Sequence, residues 1–294
     1  MPAAYLSDRG VVKVTGPDAK AFLDGIVTCD LDRISAGFAR LGALLSPQGK
    51  ILFDFIVFEA PEDAGGGYFL DVLKPYAPDL ARRLGFYKLR AKVVIDDRSD
   101  ALAVVAGWDG APLPPDDAGL VAQDTRLPSL GWRAIVAAED VPEFTSVDAR
   151  AYHARRIRLG VPEGGRDFLF GDAFPHEALM DQLQGVDFDK GCYIGQEVVS
   201  RMQHRGTART RLVPALYEGG FAAEAGHEVT AGERAIGRTG SGAEGRGLVM
   251  IRLDRAADAV ATGQTIRGGG IALALEKPDW VTFDVPAAGV PPSS

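Results

Sequence analysis

The octapeptide Lys190-Gly191-Cys192-Tyr193-Ile194-Gly195-Gln196-Glu197 places one of the chain's two cysteines beside a lysine, between glycines, and just ahead of a helix start. A neighbouring lysine and a helix N-terminus both favour the thiolate, the form of cysteine that attacks electrophiles and binds metals. Glycine on each side lets other groups approach the backbone closely. These residues point to a functional thiol at Cys192 supported by Lys190. The second cysteine, Cys29, stands among Val27, Thr28 and Leu31 and reads as a small core residue. From Lys190 to Arg211, five basic residues (Lys190, Arg201, Arg205, Arg209, Arg211) face one acid, Glu197. That excess is either a solvated face opposite Asp181, Asp187 and Asp189 or a seat for a small anionic ligand. Composition leaves both open.

Other candidate motifs fail on their context. Gly240-Ser241-Gly242-Ala243-Glu244-Gly245 fits G-x-G-x-x-G, but a β-type run follows it where a dinucleotide site needs a helix, so it reads as a glycine-rich hairpin. His176-Glu177 opens a zincin-like pattern whose second histidine position is Met180. The four histidines are scattered, and acid pairs such as Asp96-Asp97 and Asp116-Asp117 read as solvated turn residues. The formal net charge of −8 argues against a protein that coats nucleic acid or anionic membrane nonspecifically. Two distant cysteines make neither a disulfide framework nor a metal cluster by themselves. The first residues lack a basic segment followed by an apolar run, and no uninterrupted apolar stretch of about 18 residues occurs. The expectation is a soluble, reduced, cytoplasmic monomer with no membrane and no direct nucleic-acid partner.

The elements that must position these residues alternate over the first hundred positions. A β-branched run at 10–15 precedes a helix opened by Gly16-Pro17-Asp18. Apolar runs at 38–45 and 51–58 read as a hairpin around Ser46–Lys50, the segment 62–67 as a loop, and 68–73 as a strand. A helix over 75–84 and a strand over 92–96 complete an α+β layer with antiparallel pairing. Strands are expected at 101–107 and 132–138, a helix from a capping box at Thr145 to Leu159, and a short helix over 174–183. After about Arg209, short β-type runs separated by Gly-rich turns, the last of them at 280–283, predict a small antiparallel barrel or sandwich.

Phe174-Pro175-His176-Glu177, the string Phe188–Val199 with its K-G-C-Y-x-G-Q-E core, Arg201 and Arg205-Gly206 together resemble the signature of YgfZ-type folate-binding proteins. These are relatives of the glycine cleavage T-protein, an aminomethyltransferase. Val14–Asp18 with Phe22-Leu23, Pro47–Leu52, Leu89–Val93 and Gly247–Val249 extend the resemblance over nearly the whole chain. It implies a T-protein-like three-domain ring: two α+β antiparallel-sheet domains within 1–205, with a boundary near 100, a C-terminal β-barrel over 206–285, and a disordered tail over 286–294.

The resemblance also implies a tetrahydrofolate-binding accessory protein for iron–sulfur cluster assembly or repair, with client or assembly proteins as partners. Tetrahydrofolate or a one-carbon derivative is the implied cofactor. Tyr152 occupies the place of the family's folate-holding aromatic residue, and its ring could stack on the pterin. Asp54, Tyr193, Gln196, Glu197 and Arg201 complete the expected binding set, with Gln196 and Glu197 fixing the loop through backbone hydrogen bonds. Two positions depart from T-proteins. Arg158 stands where they carry a pterin-binding acid, and Phe53-Asp54 where they carry paired acids, which weighs against aminomethyl transfer. A folate-dependent one-carbon transferase and a noncatalytic scaffold are the alternatives.

Overall fold

The computed structural model describes residues 1–62, 65–115, 117–206 and 208–286. The expected tail, past residue 286, lies outside the described residues, as do residues 63–64 of the predicted loop and Asp116 of the acidic pair. The chain divides into two compact units, residues 1–152 with 183–198 and residues 153–182 with 199–294.

In the first unit, β1 (Ala3–Tyr5) and β2 (Arg9–Thr15) lead into α1 (Ala19–Asp24). The hairpin strands β3 (Phe38–Leu45) and β4 (Ile51–Glu59) are followed by β5 (Tyr68–Leu73), α2 (Ala77–Tyr87) and β6 (Val94–Asp97). Then come β7 (Leu102–Gly107), β8 (Gly119–Asp124), β9 (Trp132–Ala137) and α3 (Val141–Phe144). All nine strands form one sheet, ordered β1-β7-β9-β8-β3-β4-β5-β2-β6. The two expected subdomains thus share a single sheet, joined where β3 and β8 pair in parallel through Phe38–Gln123 and Ala39–Asp124. Every other ladder is antiparallel.

Alternation along the strands sends the two faces of this sheet to different environments. Val12, Val14, Phe55, Val57, Leu70 and Val72 pack under Leu23 of α1 and Leu80 and Leu84 of α2. Val105, Trp132, Ala134 and Val136 pack with Val141 and Phe144 of α3. Each fully buried leucine there is worth about 1.5–3 kcal/mol. The other face carries charge. Asp71 of β5 is fully buried, and Arg9 and Arg133 are 5% and 1% exposed. Arg9 Nε donates to Asp71 Oδ1 at 2.5 Å, and Arg133 Nη1 donates to Asp71 Oδ2. Arg133 Nε reaches Asp124 Oδ2 of β8 at 3.2 Å. Strands β8, β3 and β4 separate β9 from β5 in the sheet. A side chain joining them requires the sheet to fold back over its charged face.

The second unit contains a closed six-stranded barrel, ordered β10-β13-β12-β11-β14-β15. Its strands are β10 (Thr210–Tyr217), β11 (Glu228–Ala231), β12 (Arg234–Ala243), β13 (Arg246–Arg252), β14 (Ile266–Gly268) and β15 (Ile271–Leu275). The 240–245 glycine motif is the β12–β13 hairpin, with Glu244 and Gly245 both at positive φ in its turn. Three expectations are corrected. The long helix α4 (Ala149–Leu159) starts four residues after Thr145, and its first turn is capped by Asp148, whose carboxylate accepts from Arg150 N at 2.8 Å. Residues 174–183 form successive turns broken by Leu179 at φ 60°, not a helix. The run 280–283 is not a strand; Trp280 Nε1 instead donates to Leu159 O at 2.9 Å. Strands β1 and β8, and a helix α6 (Leu253–Ala261) leading out of β13, went unread in the sequence.

Arg133→Met removes the link between Asp71 and Asp124 and leaves both buried carboxylates short of a cation. Unfolding in urea should show a loss of about 3–5 kcal/mol, as expected for breaking one side of a buried ion pair. A loss below about 1 kcal/mol would mean the charged face is not a structural joint.

Candidate functional site

The loop carrying Cys192 is built by its contacts with the first helix and hairpin. Thr28 Oγ1 donates to Gly185 O at 2.6 Å and accepts from Ala43 N at 2.9 Å. Asp187 N donates to Thr28 O at 2.9 Å, and its carboxylate accepts from Asp189 N and pairs with Arg33 at 3.1 Å. Lys190 has its side chain 2% exposed. Its Nζ lies 2.8 Å from Asp24 O, 3.0 Å from Val27 O, 2.7 Å from Cys29 O and 3.0 Å from Asp24 Oδ1. Three ammonium protons meeting four acceptors leave no donor for a thiolate. The expected support of Cys192 by Lys190 is therefore corrected: the lysine pins the loop to the end of α1.

Gly195 has φ 82°, and a Cβ there would meet Ser46 O at 2.5 Å and Gly49 Cα at 3.1 Å. The β3–β4 turn, closed by Ser46 N to Lys50 O at 2.8 Å, thus packs backbone to backbone on the loop. Gly191, with nothing within 4 Å of its absent Cβ, has no such duty. The chain then enters α5 (Gln196–Arg205), where Gln196 N donates to Tyr193 O at 3.3 Å and Glu197 lies exposed in the first turn. Arg201 is exposed further along α5, in the second unit.

This clamp leaves Cys192 exposed and buries Cys29 completely. Burial pushes the Cys29 thiol up to about 12, against the pull of Lys190. A Cβ on Gly42 would sit 2.7 Å from the Cys29 sulfur, so the glycine makes room for it. The Tyr193 ring is buried beneath Lys190, whose Nζ is 5.6 Å from the ring centroid. Burial, assisted by Asp187, raises its hydroxyl to about 12.

Asp54 is 7% exposed. It lies two residues from Ile56, the cross-strand partner of Asp71, and so shares the charged face of the sheet. Tyr152 of α4 is fully buried, with Trp108 at 6.0 Å and the Arg133 guanidinium 5.2 Å from its ring. Its hydroxyl accepts from Arg126 Nη2 at 3.1 Å and from Arg133 Nη2. Arg126 in turn forks onto Asp124 at 2.9 and 2.6 Å. Burial alone would raise the Asp124 carboxyl, but Arg126 and Arg133 outweigh it and hold it below the usual range. Tyr152 is thus a member of the ionic joint and offers no open ring face for stacking.

The second unit holds two further buried clusters. Arg156 is fully buried and donates to Asp167 Oδ2 at 2.7 Å, Val161 O at 3.1 Å and Ser241 Oγ at 2.8 Å, with Glu163 at 3.1 Å. A Cβ on Gly240 would lie 2.8 Å from Asp167 Oδ1, which explains the first glycine of the rejected dinucleotide motif. Arg158, by contrast, is exposed and pairs with Glu244 at 3.1 Å. His176 is buried against Gln203 Oε1 at 2.9 Å, while Arg211 bonds both His176 O and Asp181. Sequence reasoning missed Arg9, Asp71, Asp124, Arg126, Arg133 and Arg156. The available signal was a charge inside an apolar strand run, as at Asp71 within Tyr68–Leu73 and Arg133 within Trp132–Ala137.

Over 324 aligned residues, covering 89% of this chain and 74% of its relative, the sequence is 32% identical to an iron–sulfur cluster assembly factor IBA57 homologue, mitochondrial, of Chaetomium globosum. It is 30% identical to the human mitochondrial IBA57 over 307 residues, covering 94% and 84% of the two chains. The chain belongs to the IBA57 family of iron–sulfur cluster assembly factors. A Mycosarcoma maydis relative is 34% identical, and the match spans 56% of its length. Residues 209–283 match the CAF17 C-terminal β-barrel domain. The structure superposes on the glycine cleavage aminomethyltransferase T of Bartonella henselae with TM-score 0.73 at 18% identity, over 95% of this chain and 86% of that one. The IBA57-family chain therefore has the expected T-protein-like fold with a C-terminal barrel. The cytoplasmic expectation is overturned, because these relatives are mitochondrial proteins. The lack of a secretory pattern or a long apolar run does not discriminate among compartments.

Three outcomes follow from this geometry. In the native protein one thiol, Cys192, should react rapidly with a disulfide reagent, and Cys29 only after denaturation. Lys190→Met should cost about 1–3 kcal/mol of stability through the emptied carbonyl cage. A fall in Cys192 labelling rate with no loss of stability would instead return the lysine to the thiol. His176 behaves through linkage. Burial lowers its folded value below 6.5, so its contribution is complete above about 6.5 and is lost as pH falls below it. His176→Gln should flatten that limb of a stability–pH profile.

Proposed function

We propose that this chain is a tetrahydrofolate-binding accessory factor for the assembly or repair of iron–sulfur clusters in other proteins. The observation that carries the reading is the exposed Cys192, held on a loop that Lys190 and Gly195 clamp in place, in a member of the IBA57 family. A thiol presented on a rigid loop is a soft ligand suited to iron on a client or assembly protein. Rigidity counts because a donor that needs no ordering spends less of its binding free energy on entropy.

The residues fit folate in part. Tyr152 does not suit a stacking platform, because it is fully buried and its hydroxyl is held by two arginines. Asp54 suits an acceptor for pterin N–H groups, being a carboxylate on the charged face of the sheet with a small residual exposure. Reduced folate would supply a carrier for one-carbon units or reducing equivalents. The chain's own part is to accept its N–H groups at Asp54 and to hold the Cys192 loop.

Titration of the purified protein with tetrahydrofolate should change tryptophan fluorescence with saturation, and Asp54→Ala should weaken the binding. No saturable binding up to millimolar ligand would remove the folate half of the reading. Complementation tests the other half: Cys192→Ala should lower cellular iron–sulfur enzyme activities at an unchanged protein level. Activities equal to wild type would leave the motif as scaffold.

A further inference from the structure

The end of α2 and the turn after it carry a feature that the folding of the first unit does not use. Leu89 is 90% exposed and Phe86 is 66% exposed. Leu89 also has φ 44°, a left-handed conformation that a leucine adopts only at a cost. It sits in a turn closed by Ala91 N to Lys88 O at 2.8 Å, where a glycine would meet the same geometry without strain. An apolar side chain kept in a strained turn and pointed into water has no account in packing. The same stretch, residues 83–92, carries Arg83, Lys88, Arg90 and Lys92, none of which has an ion-pair partner among the described residues. Lys88 and Arg90 follow the C-terminus of α2 and suit its exposed carbonyls, but that role explains neither Phe86 nor Leu89.

We infer that this patch docks an acidic face of a partner protein, with Leu89 and Phe86 entering an apolar recess that carboxylates surround. Four cations in the same ten residues as two exposed hydrophobic side chains are complementary to such a face and mismatched to a basic or neutral one. A phospholipid bilayer fits less well. The adjoining edge strand β6 exposes Asp96 and Asp97, and the chain carries a net charge of −8, so a uniformly anionic surface is repelled outside the patch. A partner whose acids match only the patch avoids that repulsion. The inference goes beyond the folate reading and stands or falls separately from it.

A photoactivatable benzophenone side chain at position 89 of the full-length protein, expressed in its own cells, tests this. The expected product is a crosslink to one identified protein within a segment rich in Asp and Glu, absent when the probe sits at exposed Phe221. Arg90→Glu with Lys92→Glu should cut the yield by about tenfold, the effect of opposing like charges at a contact. With the probe moved to position 86, Leu89→Gly should lower the yield similarly while the thermal midpoint holds or rises, since the turn is relieved of strain. Crosslinks to lipid, to a second copy of this chain or to a neutral or basic segment would overturn the inference. So would the absence of a crosslink, or a yield unaffected by charge reversal.

Discussion

The first unit depends on a buried ionic joint. Asp71 and Asp124 lie on strands from opposite parts of a nine-stranded sheet, and Arg133 spans them while Arg9, Arg126 and Tyr152 complete the hydrogen bonding. Ions so deeply buried are tolerable only when each charge is matched and its hydrogen bonds are made. That requirement selects one way of folding the sheet back, because a shift in strand register would turn charges onto the apolar faces beneath α1, α2 and α3. The joint thus acts more as a specifier of geometry than as a source of net stability.

The same logic reaches the motif loop in miniature. Lys190 gives its ammonium to a ring of carbonyl oxygens at the end of α1, and Gly195 lets the β3–β4 turn lie directly on the chain. Both devices work on the backbone, and both leave Cys192 at the surface. Residues adjacent in sequence have therefore divided their labour: the lysine and one glycine build the loop, and the cysteine is what the loop displays. The second unit repeats the pattern, with Arg156 fastening Asp167 and Ser241 and so tying the 163–167 turn to the barrel strand β12.

Read alone, the sequence determined most of the element order, the hairpin at Ser46–Lys50, the T-protein-like fold with its C-terminal barrel and the core position of Cys29. Those features are local: alternation, turn residues and spacing report a strand or a hairpin without reference to distant parts of the chain. Tertiary structure alone decided the partners of charged side chains. Lys190 adjoins Cys192 in sequence but bonds to residues about 160 positions away, and Tyr152, expected to face a ligand, is sealed under arginines from β9 and the turn after β8. The reason is physical. A charge goes where its desolvation is compensated, and the groups that compensate it are brought together only when the sheet closes.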